Sequence, residues 1–168
     1  YGIQQVEVRG EVVITKENFA KHNAMLEAQG AQVLANARNA ASGSLRMKDA
    51  TEVAKRNLHA FMYNISYVQY APNAKPLASH YETLQLLNNL GIKSSASQAK
   101  VFKNIQEVIT HCEAWETTRD ELPFEIDGMV IKVNNFAQQD IIGQTSHHPK
   151  WAMAYKFKAR QATSKLLA

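Results

Sequence analysis

The stretch EIDGMVIKV, Glu125–Val133, combines the pattern of a β-strand with charges that a buried strand does not usually carry. Its second half is rich in β-branched and other apolar residues, which favour a strand. Glu125, Asp127 and Lys132 lie in and beside this apolar run. Because burying an unpaired charge costs several kcal/mol, each of them needs a charged partner or an anionic ligand. The segment therefore predicts a strand that contributes to a binding site.

The face of the strand on which these charged side chains lie depends on Gly128. Strict alternation along a strand would place Asp127 and Lys132 on opposite faces. A β-bulge at Gly128 could reset that alternation, since glycine within a strand often marks a bulge. The sequence is compatible with both arrangements.

Two other segments alternate in the same way. In WAMAYKFKA, residues 151–159, large apolar residues alternate with two alanines and two lysines, of which Lys156 is the first. In VEVRGEVVI, residues 6–14, the valines share one face and the opposite face carries Arg9 and Glu11. That charged face is either solvated or part of a site, and the alternation leaves both interpretations open.

Helix signals separate the predicted strands. Caps, glycine stops and helical spacing predict helices over residues 16–29, 79–91 and about 104–115. A further strand is predicted over LHAFMYNISYV, residues 58–68. Strands separated by helices and a tight Asp-Gly step predict an α+β fold, with antiparallel sheets and flanking helices. The length predicts a single domain over residues 1–168.

Composition sets wide limits. The chain is 45% hydrophobic and 20% charged, which is typical of a globular protein. It has no apolar run of membrane-spanning length and no signal-peptide pattern, so we expect a cytoplasmic protein without a membrane partner. The net charge of +4 favours an anionic partner only weakly, because 19 basic residues are offset by 15 acidic ones. Cys112 is the sole cysteine, which excludes an internal disulfide and a cysteine zinc site.

The segment ANARNAASGSLR, residues 35–46, places Arg38 and Arg46 among small residues that would let a backbone approach a ligand. If the segment is helical, their spacing is about two turns and both guanidinium groups lie on a similar side. The alternative is a solvated, alanine-rich helix with incidental arginines. The pair His147 and His148 is better interpreted as loop histidines than as metal ligands, since no third ligand stands at a suitable spacing.

Tyr63 also permits two interpretations. Its position in the alternation of residues 58–68 favours a core aromatic, whereas the aromatic ring is equally suited to stacking on a nucleobase.

Four segments taken together, EVRGEV, ANARNAASGSLR, LPFEIDGMVIKVN and HHPKWAMAYKFKA, resemble the adenylation domain of bacterial NAD-dependent DNA ligases. They follow one another in family order over essentially the whole chain. The arginine-containing segment resembles this family rather than ATP-dependent ligases or capping enzymes. The resemblance implies a nucleotidyltransferase, ATP-grasp-like ligase domain, of which residues 1–168 are a part that lacks the N-terminal portion.

The resemblance implies that the charges of the strands face AMP, its phosphate and a metal ion, Mg or Mn. Glu11 matches the acidic residue near the ribose and the metal, and Asp127 matches the acidic residue of the family's "IDG" motif, which acts through the metal. Tyr63 matches the aromatic residue that stacks on adenine, which reverses the interpretation from pattern alone.

The basic residues match in the same way. Lys132 and Lys156 match the two motif lysines that contact the adenylate, and Arg119 matches an arginine near the cofactor phosphates. Arg38 and Arg46 match the paired arginines that help bind the cofactor phosphates or the backbone of nicked DNA. The resemblance thus implies Lys132, Lys156 and Asp127 as the catalytic residues of this part of the domain.

The sequence departs from the family pattern at three points. Ala37 stands where proline is common, and Lys150 stands where arginine is usual, which exchanges a bidentate phosphate contact for a point charge. The lysine nucleophile of the family's K-x-D-G motif is missing, because the single Asp-Gly step has Glu125 at that position. That motif normally lies upstream of the segments present here. The resemblance implies that residues 1–168 also lack the N-terminal nicotinamide-recognition subdomain, the OB-fold, the four-cysteine zinc finger, the helix-hairpin-helix segment and the BRCT domain of the family.

For the parent family the resemblance implies nick sealing in double-stranded DNA with NAD as the adenylate donor. A lysine attacks the α-phosphate of NAD, and nicotinamide mononucleotide leaves. The AMP then passes to a 5′-phosphate at the nick, and the 3′-hydroxyl attacks that phosphate and displaces AMP. We expect a monomer that cannot complete the first step alone. The alternatives are a non-catalytic nucleotide- or nucleic-acid-binding module that kept the fold, and a purely structural domain.

Overall fold

The structure is a computed structural model that describes residues 1–159. The strands are β1 (Ile3–Val13), β2 (His59–Tyr70), β3 (Gly128–Lys132) and β4 (Ala152–Lys156). The helices are α1 (Lys16–Ala28), α2 (Ala37–Ser44), α3 (Ala50–Lys55), α4 (His80–Asn89), α5 (Ile105–Thr118) and α6 (Phe136–Ile142). None of these described helices has the length and apolarity that crossing a bilayer requires.

The strands form two antiparallel pairs, β1 with β2 and β3 with β4, which confirms the prediction of an α+β fold with antiparallel sheets. The β3–β4 pairing runs without a register shift from Gly128 opposite Lys156 to Lys132 opposite Ala152. No bulge therefore resets the alternation at Gly128. Asp127 lies one residue before β3, so its side chain does not have to follow the alternation of the strand.

The close approach of β3 and β4 requires glycine at position 128. A Cβ atom there would lie 2.2 Å from the backbone oxygen of Tyr155. This is a backbone contact, so no side-chain rotation could relieve it. The Asp-Gly step is thus explained by packing between the strands and not by a turn.

The β1–β2 register shifts three times, and the two shifts that fall within residues 6–14 of β1 each leave an extra residue on β2, Ser66 and Tyr63, so that they do not interrupt the alternation of β1. One shift lies between Arg9, which pairs with Asn64, and Gly10, which pairs with Met62, so that Tyr63 has no partner on β1. An extra residue of this kind is a β-bulge, which bends the strand and changes the direction of its side chains.

The predicted helix starts are confirmed by their caps. The side chains of Thr15, Ser79 and Asn104 each accept a hydrogen bond from the backbone N–H three residues on. Helix α6, capped by Asn135, was not predicted, since seven residues carry too little periodicity to separate a helix from a loop.

A small core places α2 beside β1. Ile14, Ala37 and Ala41 are buried together, and Phe19 and Leu58 pack against them. Ala37, which departs from the family pattern, is therefore a buried packing residue of the first turn of α2. The small residues of this segment bring the helix close to β1, and so place Arg38 near Glu11.

Candidate functional site

Four charged residues from four separate segments meet in what we call the ion-pair cluster. Arg38 of α2 lies 3.8 Å from Glu11 of β1 and 3.5 Å from Asp127, measured between guanidinium nitrogens and carboxylate oxygens. The Lys156 ammonium at the end of β4 donates to the same Asp127 oxygen at 2.9 Å. All four side chains are largely exposed, so they remain accessible to a ligand.

Asp127 is the centre of this cluster. The hydrogen bond from Lys156 lowers the pKa of the Asp127 carboxyl below its usual value, against the opposing effect of partial burial, and the charges of Lys156 and Arg38 lower it further. Asp127 is therefore ionised at neutral pH and holds two cationic side chains in place. Its partners were not predicted, because alternation alone assigned Asp127 to a face and not to a neighbour.

A hollow of about 590 Å³ adjoins the cluster and is lined by Asp127, Lys156 and Arg119, among others. Arg119 donates from both terminal nitrogens to the carbonyl oxygen of Lys158 at 3.5 Å, and its guanidinium lies 5.4 Å from the centre of the Phe157 ring. The hollow therefore brings together three residues that the resemblance assigned to one site. Four cations and three carboxylates line it, and the cations are suited to phosphate.

Two lysines of this hollow were not predicted. Lys16 and Lys158 also line it, and the Lys16 ammonium donates to the carbonyl oxygen of Asp120 at 2.8 Å. Lys16 begins α1 and is remote in sequence from the other residues of the hollow, so no local pattern could identify it.

Tyr63 and Lys132 form a second group. The Lys132 ammonium lies 5.5 Å from the centre of the Tyr63 ring, within the range of a cation–π contact. Tyr63 is 41% exposed, so the interpretation as a core aromatic is wrong. The physical reason is the β-bulge at this residue, which takes the ring out of the alternation of β2.

Lys132 is half-buried, and burial lowers its pKa to about 8 because the charged form loses solvation. Gly128 and Lys132 are four residues apart on β3, and Lys156 lies opposite Gly128. Lys132 and Lys156 therefore project from the same face of the β3–β4 pair, at opposite ends of it. This face thus carries one lysine of the ion-pair cluster and the lysine of the Tyr63 group.

His80 is a site residue that the sequence did not indicate. Its Nε2 atom lies 3.1 Å from the Lys132 ammonium. Burial, and the positive charge of Lys132 to a lesser extent, lower the pKa of His80 to about 4, so the imidazole is neutral at physiological pH. The contact joins residues 52 positions apart, which no local pattern can foresee.

Arg46 lies outside the helix that carries Arg38. Helix α2 ends at Ser44, so the condition for both guanidinium groups to share a helical side is not met. Arg46 is exposed, and its backbone N–H donates to the carbonyl oxygen of Gly43. Ser42, Gly43 and Ser44 favour a turn over a longer helix, which is the physical reason for the difference.

The predicted metal ligands Glu11 and Asp127 both contact Arg38. Within residues 1–159 no group of three or more His, Cys, Asp or Glu could hold a metal ion. His147 and His148 have ring centres 6.3 Å apart and lie in a loop in which Thr145 accepts from both of their backbone N–H groups. They are therefore loop histidines that are arranged around a turn.

Arg56 stabilises the position of α2 through hydrogen bonds to its C-terminal half. One terminal nitrogen of its guanidinium donates to the Ser44 hydroxyl at 2.7 Å and to the carbonyl oxygen of Ala40 at 3.4 Å. These contacts satisfy polar groups in the last turn of the helix that carries Arg38.

The chain is similar to known proteins of one family. The family model of the NAD-dependent DNA ligase adenylation domain matches residues 2–160. The DNA ligase of Aquifex aeolicus is 52% identical over 167 residues, which cover 99% of this chain and 23% of that protein. The DNA ligase of Persephonella marina is 50% identical over 99% of this chain and 24% of its own length. For the DNA ligase of Clostridioides difficile the identity is 46%, over 98% and 24% respectively.

The chain thus spans about a quarter of the length of these relatives. The family model, in contrast, covers nearly all of the chain, including the segments that carry Glu11, Arg38, Asp127 and Lys156. The chain belongs to the family of NAD-dependent DNA ligase adenylation domains.

Proposed function

We propose that residues 1–168 form most of the adenylate pocket of a DNA ligase that seals nicks between 5′-phosphate and 3′-hydroxyl ends using NAD. The observation that carries this proposal is the ion-pair cluster. Glu11, Arg38, Asp127 and Lys156 come from four separate segments and converge next to the hollow that Lys156 and Arg119 line. Exposed charges that meet in this way, and are not needed to satisfy a core, are suited to a charged ligand.

The phosphate would bind at the hollow. Lys156 and Arg119 present an ammonium and a guanidinium there, and Asp127 orients Lys156 through the 2.9 Å hydrogen bond. Positive groups contribute most when they stabilise charge that develops on a transferring phosphoryl group. We therefore assign Lys156 and Asp127 as catalytic residues and Arg119 as a cofactor-binding residue.

The adenine would bind at the second group. The exposed Tyr63 ring offers a stacking surface, and Lys132 beside it supplies a hydrogen-bond donor. Glu11 would bind the ribose side of the nucleotide. Because Lys132 and Lys156 stand at opposite ends of one sheet face, a nucleotide that lies along the face contacts one with its base and the other with its phosphate.

A divalent cation, Mg or Mn, would bind through Glu11 and Asp127. Mg²⁺ keeps several waters and takes one or two carboxylates together with substrate phosphates, so two carboxylates are a sufficient protein donor set. Both carboxylates contact the Arg38 guanidinium, which bridges them. When bound, the cation would neutralise phosphate charge.

We further propose that Arg38 and Arg46 contribute to binding nicked double-stranded DNA, Arg38 also contacting the nucleotide. Both side chains are exposed and cationic, as contacts to a phosphate backbone require. The test is binding to nicked duplex at several salt concentrations. Arg46→Met is expected to weaken binding and to reduce the salt slope by about one, since one phosphate contact releases about one counterion.

The reaction of the parent ligase begins with a lysine that attacks the α-phosphate of NAD, and nicotinamide mononucleotide leaves. No K-x-D-G motif occurs in the 168 residues. We therefore propose that this chain alone binds nucleotide but forms no lysine–AMP phosphoramidate. Incubation with adenylate-labelled NAD tests this: a stable label on the chain would refute it.

A second candidate is a non-catalytic module that binds nucleic acid, which the exposed cations Arg38 and Arg46 favour. Calorimetry with AMP and with nicked duplex separates the two candidates. Binding of AMP that is weakened by Lys156→Met supports the adenylate pocket. Binding of duplex without any binding of AMP supports the module.

A further inference from the structure

The N-terminus of α4 is attached to the chain just beyond β3. The backbone N–H of His80 donates to the carbonyl oxygen of Asn134 at 2.8 Å, and that of Tyr81 donates to the Asn134 side-chain oxygen at 2.9 Å. Asn134 follows Lys132 by two residues. The same two N–H groups are among those that a helix leaves unsatisfied at its start. One asparagine thus fixes His80 relative to the end of β3.

The side chains of His80 and Lys132 then meet at 3.1 Å, between Nε2 and Nζ. An imidazolium and an ammonium cannot share a hydrogen bond, because both are donors. Burial disfavours a second positive charge here, and the low pKa of His80 agrees with a neutral ring. Nε2 is therefore the acceptor, and the ring proton lies on Nδ1.

This hydrogen bond restricts the position of the Lys132 ammonium. A lysine side chain has a flexible four-carbon stem and would otherwise populate many rotamers. The His80 acceptor at 3.1 Å and the Tyr63 ring, 5.5 Å from the ammonium, favour the arrangement in which the ammonium contacts both. The ammonium retains N–H donors that point away from His80.

We propose that His80 is a positioning residue, which holds the Lys132 ammonium beside Tyr63 so that it can donate to a ring nitrogen of a bound adenine nucleotide. The inference rests on the proposed function, because it requires a base to occupy the space beside Tyr63. His80 itself contacts Lys132 and not the ligand. It is thus distinct from the residues assigned to the pocket above.

A second lysine–histidine contact in the chain supplies a matched control. The Lys93 ammonium lies 3.0 Å from Nδ1 of His59, whereas the ammonium over the Tyr63 ring is that of Lys132. Removing the His59 imidazole shows what the loss of a lysine–histidine contact does when that contact does not involve Lys132. His59→Leu is expected to change neither the affinity for AMP nor the pKa of Lys132.

The experiment compares His80→Leu, His80→Gln and His59→Leu in the full chain. The affinity for AMP is measured by calorimetry, and the pKa of Lys132 is measured by NMR of its ε-carbon. His80→Leu is expected to weaken AMP binding about tenfold, since a charge-assisted hydrogen bond that orders the donor is lost. It also lowers the pKa of Lys132, because the charged form loses its acceptor. His80→Gln, which keeps an acceptor, restores most of both values.

The proposal is overturned if His80→Leu leaves either the AMP affinity or the pKa of Lys132 unchanged. Should this variant not fold, His80→Asn replaces it, because a shorter amide cannot reach the ammonium from the same helix position. If the unchanged chain binds no AMP, the proposed function fails instead. The pKa of Lys132 then still decides whether His80 holds the ammonium.

Discussion

A hydrogen bond between Lys156 and Asp127 connects the last residue of β4 to the residue that precedes β3. The ammonium lies 2.9 Å from the Asp127 carboxylate, and the backbone N–H of Phe157 donates to the Asp127 carbonyl oxygen at 3.0 Å. Side chain and backbone therefore hold Asp127 against the end of β4. The same carboxylate oxygen receives Arg38 at 3.5 Å, so the sheet is connected to α2 through one atom.

The first prediction concerns the pKa of Asp127. Lys156→Met raises this pKa towards its usual range, because the hydrogen bond from Lys156 is the largest cause of the lowering. Arg38→Met raises it less, since Arg38 acts only as the weakest of the coulombic causes. NMR titration of the Asp127 carboxyl carbon measures both. An equal effect of the two variants would contradict the geometry.

The lowered pKa of Asp127 makes the free energy of unfolding depend on pH. The pKa of Asp127 is lower in the folded chain than in an unfolded one, so its ion pairs stabilise the fold above the unfolded value, about 3.9. This contribution is lost as the pH falls through the folded-state value. Because the pairs are exposed, we expect Asp127→Asn to lower the free energy of unfolding at pH 7 by less than about 1 kcal/mol.

Lys132→Met is predicted to stabilise the chain and to weaken AMP binding. The pKa of Lys132 is lowered to about 8 by burial alone, which means that the charged form is unfavourable in the folded state. At pH 7 the substitution should raise the free energy of unfolding by about 1–3 kcal/mol. Urea unfolding and calorimetry measure the two effects. A purely structural domain would show the gain in stability without any loss of affinity.

The stability gained by Lys132→Met depends on pH, because the pKa of Lys132 is lower in the folded chain than in the unfolded one. Between about pH 8 and the unfolded value near 10.5, the unfolded chain binds a proton at Lys132 that the folded chain does not. The stability contributed by Lys132 therefore rises with pH across that window. The advantage of Lys132→Met should be largest at or below pH 7 and should shrink above pH 8. AMP binding by the unchanged chain should weaken over the same range.

Gly128→Ala is predicted to separate β3 from β4. The new methyl group would lie 2.2 Å from the Tyr155 carbonyl oxygen, so the strands must move apart. Overpacking of this kind costs about 1–3 kcal/mol of unfolding free energy. Gly43→Ala is the matched control, since nothing lies within 4 Å of that position and it is in α2. The control should stabilise by about 0.5–1 kcal/mol, because alanine favours helix over glycine. Thermal unfolding compares the two.

Arg56→Met is predicted to loosen α2. It removes the donor to the Ser44 hydroxyl and to the Ala40 carbonyl oxygen, which should lower the free energy of unfolding by about 1.5–3 kcal/mol. AMP affinity should also fall, since Arg38 lies on the same helix. Lys48→Met, an exposed cation beyond that helix, is the control and should change neither quantity. An unchanged hydrogen-exchange rate in α2 of the Arg56 variant would contradict this role.

The amino-acid sequence by itself determined the helices that have caps and the family of the chain. Thr15, Ser79 and Asn104 could be identified because a cap depends on a side chain and a backbone group only three residues away. The family resemblance likewise depends on the order of short motifs. Both are local signals, which a single sequence contains in full.

Only the tertiary structure decided which groups meet. The bulge that exposes Tyr63 is a property of the register between β1 and β2, and alternation along β2 assigned the same ring to the core. The partners of Asp127 lie 29 and 89 residues away, and His80 lies 52 residues from Lys132. The physical reason is that charges and bulges are placed by contacts between strands and helices, whose geometry depends on packing across the whole chain.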